Sequence, residues 1–131
     1  MQEQRDESFS KSERLKSKLA IEELFKQGKS LKAFPVRLIY LKQSTKVSAS
    51  KNTSKSNNKA AFSAPKKIFK HAVDRNRVKR LMREAYRKNK YLVHKTETFS
   101  YSLMFLYQSK QVLSYTEIER CMKKLLSKLN E

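Results

Sequence analysis

A chain of 131 residues has room for one domain with a modest core. Its 31 lysines and arginines against 12 acids give a formal net charge of +19, where solubility alone needs a magnitude of only about 2–8. That excess makes a polyanion, and nucleic acid above all, the expected partner; no apolar run approaches the ~18 residues of a spanning helix, which argues against a membrane partner.

The N-terminal stretch MQEQRDESFSKSE is polar, mixed in charge and without periodicity, so residues 1–13 are expected to be a disordered tail and not a secretory signal. The domain is expected to span 14–131. Ser17 suits the N-cap of a helix over about 18–27, on which Ile21, Leu24 and Phe25 share a face. Gly28 suits the position just past its end, where positive φ is common.

FPVRLIYLK (34–42) reads as a strand apolar on nearly both faces, hence interior to a sheet, with Pro35 at its start. QSTKVSASKNTSKSNNK (43–59) cannot bury apolar surface and reads as a long mobile loop. AAFSAP (60–65) is a short strand candidate. A basic helix is expected from about 72 to 90, and SYSLMFLYQ (100–108) reads as a central strand. Ser114 and Glu117 have capping-box spacing before a final helix with an Ile118–Cys121–Met122–Leu125–Leu129 stripe. The expected order is α-β-β-β-α-β-α: a single-domain α/β chain, an α+β sandwich with a central sheet covered by helices.

The basic segment KHAVDRNRVKRLMREAYR (70–87) carries the functional signal. At 100° per residue, Val78, Leu81, Met82 and Ala85 fall on one side. Asn76, Arg80, Arg83 and Arg87 fall on the other, with Lys79 and Lys90 beside them and Arg75 and Arg77 at the edges. Solvated faces usually mix signs for i,i+4 pairing; like charges at these spacings destabilise an isolated helix unless a polyanion supplies the missing charge. A basic-zipper helix would need heptads downstream, and KYLVHKTETFSYS has none. A membrane-surface helix would need large aromatics on its apolar side. A localisation signal would be flexible and not amphipathic.

Phosphate recognition fits best. Arginine's planar fork meets phosphate oxygens in pairs, and Lys66, Lys67 and Lys70 extend the patch across the turn into the helix. With a single glycine in the chain, glycine-rich phosphate loops are excluded. Tyr40, Phe62, Tyr101 and Phe105 lie on strands and could stack unpaired bases, which would favour RNA, or could be core. His71 and His94 show no paired spacing for a two-histidine ribonuclease. Cys121 is a lone cysteine on an apolar stripe, in keeping with a reducing, cytoplasmic setting, and the acids show no metal-binding spacing.

KK-IFKHAV-D-RNRVKRLMREAYR resembles the signature of the bacterial ribonuclease P protein subunit: paired lysines, an alanine–valine step, RNR, then KR and RE. RLKSKLAIEELFKQGKSL (14–31) is similar to that family's N-terminal helix, although Ile21 stands where the family often has phenylalanine. Before the basic helix, Pro65 replaces a serine or similar residue, Phe69 replaces a glycine, and His71 has the look of a one-residue insertion.

The resemblance implies a left-handed β-α-β crossover and a ribonucleoprotein endonuclease that removes the 5′ leader of precursor tRNA. The catalyst would be the RNA subunit with its Mg²⁺, and no cofactor, metal or catalytic residue would belong to the protein. It implies that Arg75, Asn76, Arg77, Lys79, Arg80 and Arg83 contact the catalytic RNA with Lys66 and Lys67 near that surface, and that Phe25 and Tyr40 line a leader cleft; the patch and wheel add Lys70 and Arg87 to the expected RNA-binding set, and the strand rings add Phe62 to the expected cleft. The implied partners are the RNA subunit and precursor tRNA, with no membrane and no protein partner required. A basic structural RNA binder such as a ribosomal protein is the alternative.

Overall fold

The structure is a computed structural model that describes residues 9, 11–44, 58–93 and 99–129. In chain order it contains α1 (Lys18–Gln27), β1 (Lys29–Ala33), β2 (Val36–Ser44), β3 (Lys59–Ser63), α2 (Ala72–Asn89), β4 (Phe99–Tyr107) and α3 (Tyr115–Lys128). The order α-β-β-β-α-β-α is the expected one, and it places the first strand at 29–33. The strands form one sheet in the order β1-β2-β4-β3. β2 is antiparallel to both neighbours, while β3 and β4 run parallel. A parallel pair needs a long crossover, which α2 supplies.

Alternation along the strands divides the sheet into two faces. Val36, Leu38, Leu103, Phe105 and Tyr107 point to one side and are fully buried under α2 and α3. Ile39, Leu41, Met104 and Leu106 point to the other, where α1 lays Leu24 against them. Because both faces of β2 and β4 are covered, their sequences read as continuous apolar runs. The edge strand β1 instead carries Lys29 and Lys32, charges that discourage pairing with a further strand.

The helix ends match their sequence signals in two cases and differ in one. Ser17 Oγ accepts from the Ala20 amide at 3.2 Å. Ser114 and Glu117 form a reciprocal capping box. Gly28, expected at positive φ, is extended at φ −75°, ψ 162°. A Cβ there would lie 2.4 Å from Leu24 O, a carbonyl of α1's own last turn, and 3.0 Å from Ile39 Cγ2 and Tyr40 O on β2, so the tight exit from the helix, crowded further by β2, is what requires glycine.

The expectation of a disordered tail through residue 13 is corrected from Phe9 onward; residues 1–8 and 10 lie outside the described set. Phe9 packs edge-on to Phe62 and Tyr86 at 5.9 and 5.8 Å, with the Arg14 guanidinium 5.5 Å from its ring centre. The Leu15 amide donates to Ala60 O at 3.0 Å, covering the open edge of β3. Glu13 pairs with Lys90 at 2.5 Å, both largely shielded from solvent. One ring and one ion pair, well separated in sequence from what they touch, tie down a segment whose composition looks unstructured. The expected mobile loop falls mostly on residues 45–57, outside the described set; 43–44 complete β2 and 59 opens β3.

Candidate nucleic-acid interface

α2 is anchored at both ends before it presents any charge. Ile68 and Phe69 amides both donate to Pro65 O, forming a tight turn, and the Phe69 ring stacks on Tyr107 at 5.9 Å. The residue that departs from the family pattern at 69 is thus a buried anchor. His71 occupies the N-cap without a side-chain cap bond. At the other end Asn89, buried, donates from Nδ2 to Ala85 O and to Glu119 Oε2, both at 2.9 Å.

The helical wheel holds: Val78, Met82 and Ala85 are fully buried, Leu81 half-buried. Tyr86 joins the buried side, and burial pushes its phenol well above the ordinary range. On the opposite side Asn76, Arg77, Arg80 and Arg83 are exposed and Lys79 half-buried. Lys66, Lys67 and Lys70 stand exposed on the incoming turn. Among the described residues none of these cations forms an ion pair.

Two arginines of the expected set are differently employed. Arg75 Nη1 donates to Phe69 O at 2.8 Å and Lys70 O at 3.0 Å, so this guanidinium holds the turn into α2. Arg87 grips Glu84 through Nη2–Oε1 at 2.8 Å and Nε–Oε2 at 3.2 Å. That hydrogen bond is the main cause holding the Glu84 carboxyl below its usual range, against a smaller opposing effect of burial.

The three expected cleft rings do not share a surface. Phe25 projects from α1, 51 % exposed. Tyr40 and Phe62 lie on the opposite sheet face with the α2/α3 core. Tyr40 meets Tyr101 edge-on at 6.1 Å, and Phe62 stacks on Phe105 at 5.4 Å. The physical reason is strand parity: Tyr40 has the same parity as Leu38, which is core.

Sequence reasoning missed Arg37. The register aligns Lys32, Arg37, Leu106 and Ser63 in a row across all four strands, on the face that α1 shares. Arg37 Nη2 reaches Ser30 Oγ only at 3.5 Å, and its Nε is buried without a partner. A lone arginine inside an apolar strand was the available signal. Among the described residues no helix is long and apolar enough to cross a membrane, and no three His, Cys, Asp or Glu side chains group as metal ligands.

A mixed sheet with helices on both faces, and a cationic ridge on its crossover helix, make this a small single-domain α/β protein. The family model for Ribonuclease P matches residues 9–130. A ribonuclease P protein component from Porphyromonas gingivalis is 35% identical over 124 residues, covering 92% of this chain and 85% of the relative. One from Chlorobaculum tepidum is 34% identical over 120 residues, 84% of this chain and 73% of the relative. The fold is similar to the RNase P protein of Staphylococcus aureus (TM-score 0.67, 16% identity, 91% of this chain and 95% of that one). It is likewise similar to that of Thermotoga maritima (TM-score 0.65, 21% identity, 88% and 96%). The chain belongs to the ribonuclease P protein component family.

Proposed function

We propose that this chain is the protein subunit of a cytoplasmic ribonuclease P, holding the catalytic RNA and the 5′ leader of precursor tRNA while the RNA performs the cleavage. The observation that carries the reading is the unpaired ridge of Arg77, Arg80 and Arg83 beside Lys66, Lys67 and Lys70, in a chain of this family. Asn76, exposed on the same ridge, adds a donor and an acceptor. Arg75 supports the ridge by fixing the turn. Arg87 is available to phosphate only in competition with Glu84.

The leader strand is assigned to the sheet face that α1 shares. Phe25 offers an exposed ring there for a base, and Arg37 and Lys32 offer charge for the backbone. Tyr40 and Phe62 serve packing in this reading. In this reading the magnesium of the reaction belongs to the RNA subunit, where it would supply charge stabilisation.

The test is reconstitution with the ribonuclease P RNA of the same genome. The chain alone leaves precursor tRNA intact, and adding it to the RNA restores 5′ cleavage at a magnesium concentration where the RNA alone is slow. If cleavage at low magnesium is the same with and without the chain, the reading is wrong.

A further inference from the structure

α3 carries a second cationic face that the family assignment does not use. Arg120, Lys123, Lys124 and Lys128 recur at i, i+3, i+4 and i+8, interspersed with Thr116 and Ser127, and all six are exposed. The opposite side, from Ile118 to Leu126, is the buried stripe.

The acids of this helix are withdrawn from the stripe. Glu117 is engaged in the capping box, its Oε1 accepting from Ser114 N at 3.3 Å and Ser114 Oγ at 3.2 Å. Glu119 is turned to the α2 side, its Oε2 accepting from Asn89 Nδ2 at 2.9 Å and Tyr115 Oη at 3.3 Å. Among the described residues no acid pairs with the four cations. The helix dipole welcomes Lys128 in the last turn, but Arg120 and Lys123 sit too far from the C-terminus to gain by it. Like charges three and four residues apart cost the isolated helix stability.

The chemistry of this face selects its occupant. It has no apolar residue to enter a bilayer or to anchor a protein interface. It has no ring on which unpaired bases could stack. Flexible cations alone suit the phosphates of a double-helical backbone, the way paired RNA is held by shape. α3 packs on α2 over the same sheet face, so an RNA lying on the α2 ridge has its flanking helices close by.

We infer that the outer face of α3 is a second RNA contact, gripping the backbone of a paired segment of the RNA that α2 holds; this rests on the reading of α2 as an RNA-binding ridge. The test compares four full-length proteins against the ribonuclease P RNA of the same genome. These are the parent, an α2 variant (Arg80→Gln with Arg83→Gln), an α3 variant (Arg120→Gln, Lys123→Gln and Lys124→Gln), and a scattered control (Lys29→Gln, Lys59→Gln and Lys110→Gln). Glutamine keeps helix propensity close to that of the residues replaced, and circular dichroism verifies folding of each.

The α3 variant is expected to bind at least tenfold more weakly at about 50 mM salt. Its log–log salt slope should be shallower by about two to three, at ~0.7–0.9 per lost phosphate contact. Backbone protection should disappear from a paired segment other than the one lost with the α2 variant. If the α3 variant binds like the parent, or loses no more than the scattered control and keeps the parent's protection pattern, the inference fails while α2 stands. If the α2 variant also binds like the parent, both readings fail.

Discussion

Two arginines about 1.4 turns apart on one helix do different work, and the difference is measurable. Arg80 is exposed and forms no ion pair with any described residue. Arg80→Ala should change unfolding free energy by no more than about 0.5 kcal/mol. It should weaken RNA binding and reduce the salt slope by up to about one, read from titrations at several salt concentrations. Arg75 is half-buried and donates to two carbonyls of the turn before α2. Arg75→Met keeps much of the aliphatic stem and removes both bonds. It should cost about 1–2 kcal/mol in urea unfolding, with RNA binding weakened in proportion to how far the turn loosens. Equal stability of the two variants would mean that the Arg75 bonds contribute nothing to folding. The spacing in RNRVKR does not distinguish the two residues, because the carbonyls that Arg75 serves belong to a turn whose path depends on Phe69 finding Tyr107.

At the scale of elements, α2 and α3 meet through a polar joint that periodicity does not reveal. Asn89 falls on the buried side of α2 and its amide bridges Ala85 O and the Glu119 carboxylate. Tyr115 donates to that same carboxylate; burial first, then the negative charge, pushes its phenol up to about 12. Asn89→Ala should destabilise the protein by about 1–3 kcal/mol, since Glu119 loses a donor in a half-buried site. Asn89→Asp should cost more by setting a second negative charge beside the first, and the order of the two variants in thermal or urea unfolding checks the joint. An order reversed from this would mean the Asn89 site is wet enough to solvate a charge. The N-terminal segment teaches the same lesson: Phe9 and Glu13 look unremarkable in a polar tail, and become structural only because Phe62, Tyr86 and Lys90 are waiting on other elements.

For the whole molecule, the net charge of +19 sets stability and binding in opposition. Self-repulsion destabilises the compact chain, and salt screens it: the Debye length falls from ~30 Å at 0.01 M to ~8 Å at 0.15 M. The isolated protein should therefore unfold at higher temperature as salt rises over that range, while its affinity for RNA falls. Parallel calorimetry and binding titrations give the two slopes, and slopes of the same sign would show that charge repulsion is not what limits the free chain.

Much of this protein is settled by local order in its chain. The 3.6-residue spacing of Val78, Met82 and Ala85 requires a helix with one buried side, the cap residues Ser17 and Ser114 start two others, and the RNR block carries the family likeness. These rest on near neighbours, so they can be read one segment at a time. The tertiary structure alone decided which charges are free, which rings are core and which face a strand residue takes. Strand parity shows that Tyr40 and Ile39 point oppositely, but which of them meets α1 depends on where distant helices pack. Whether an arginine awaits a phosphate or already holds a carbonyl likewise depends on partners that only folding brings within hydrogen-bond reach.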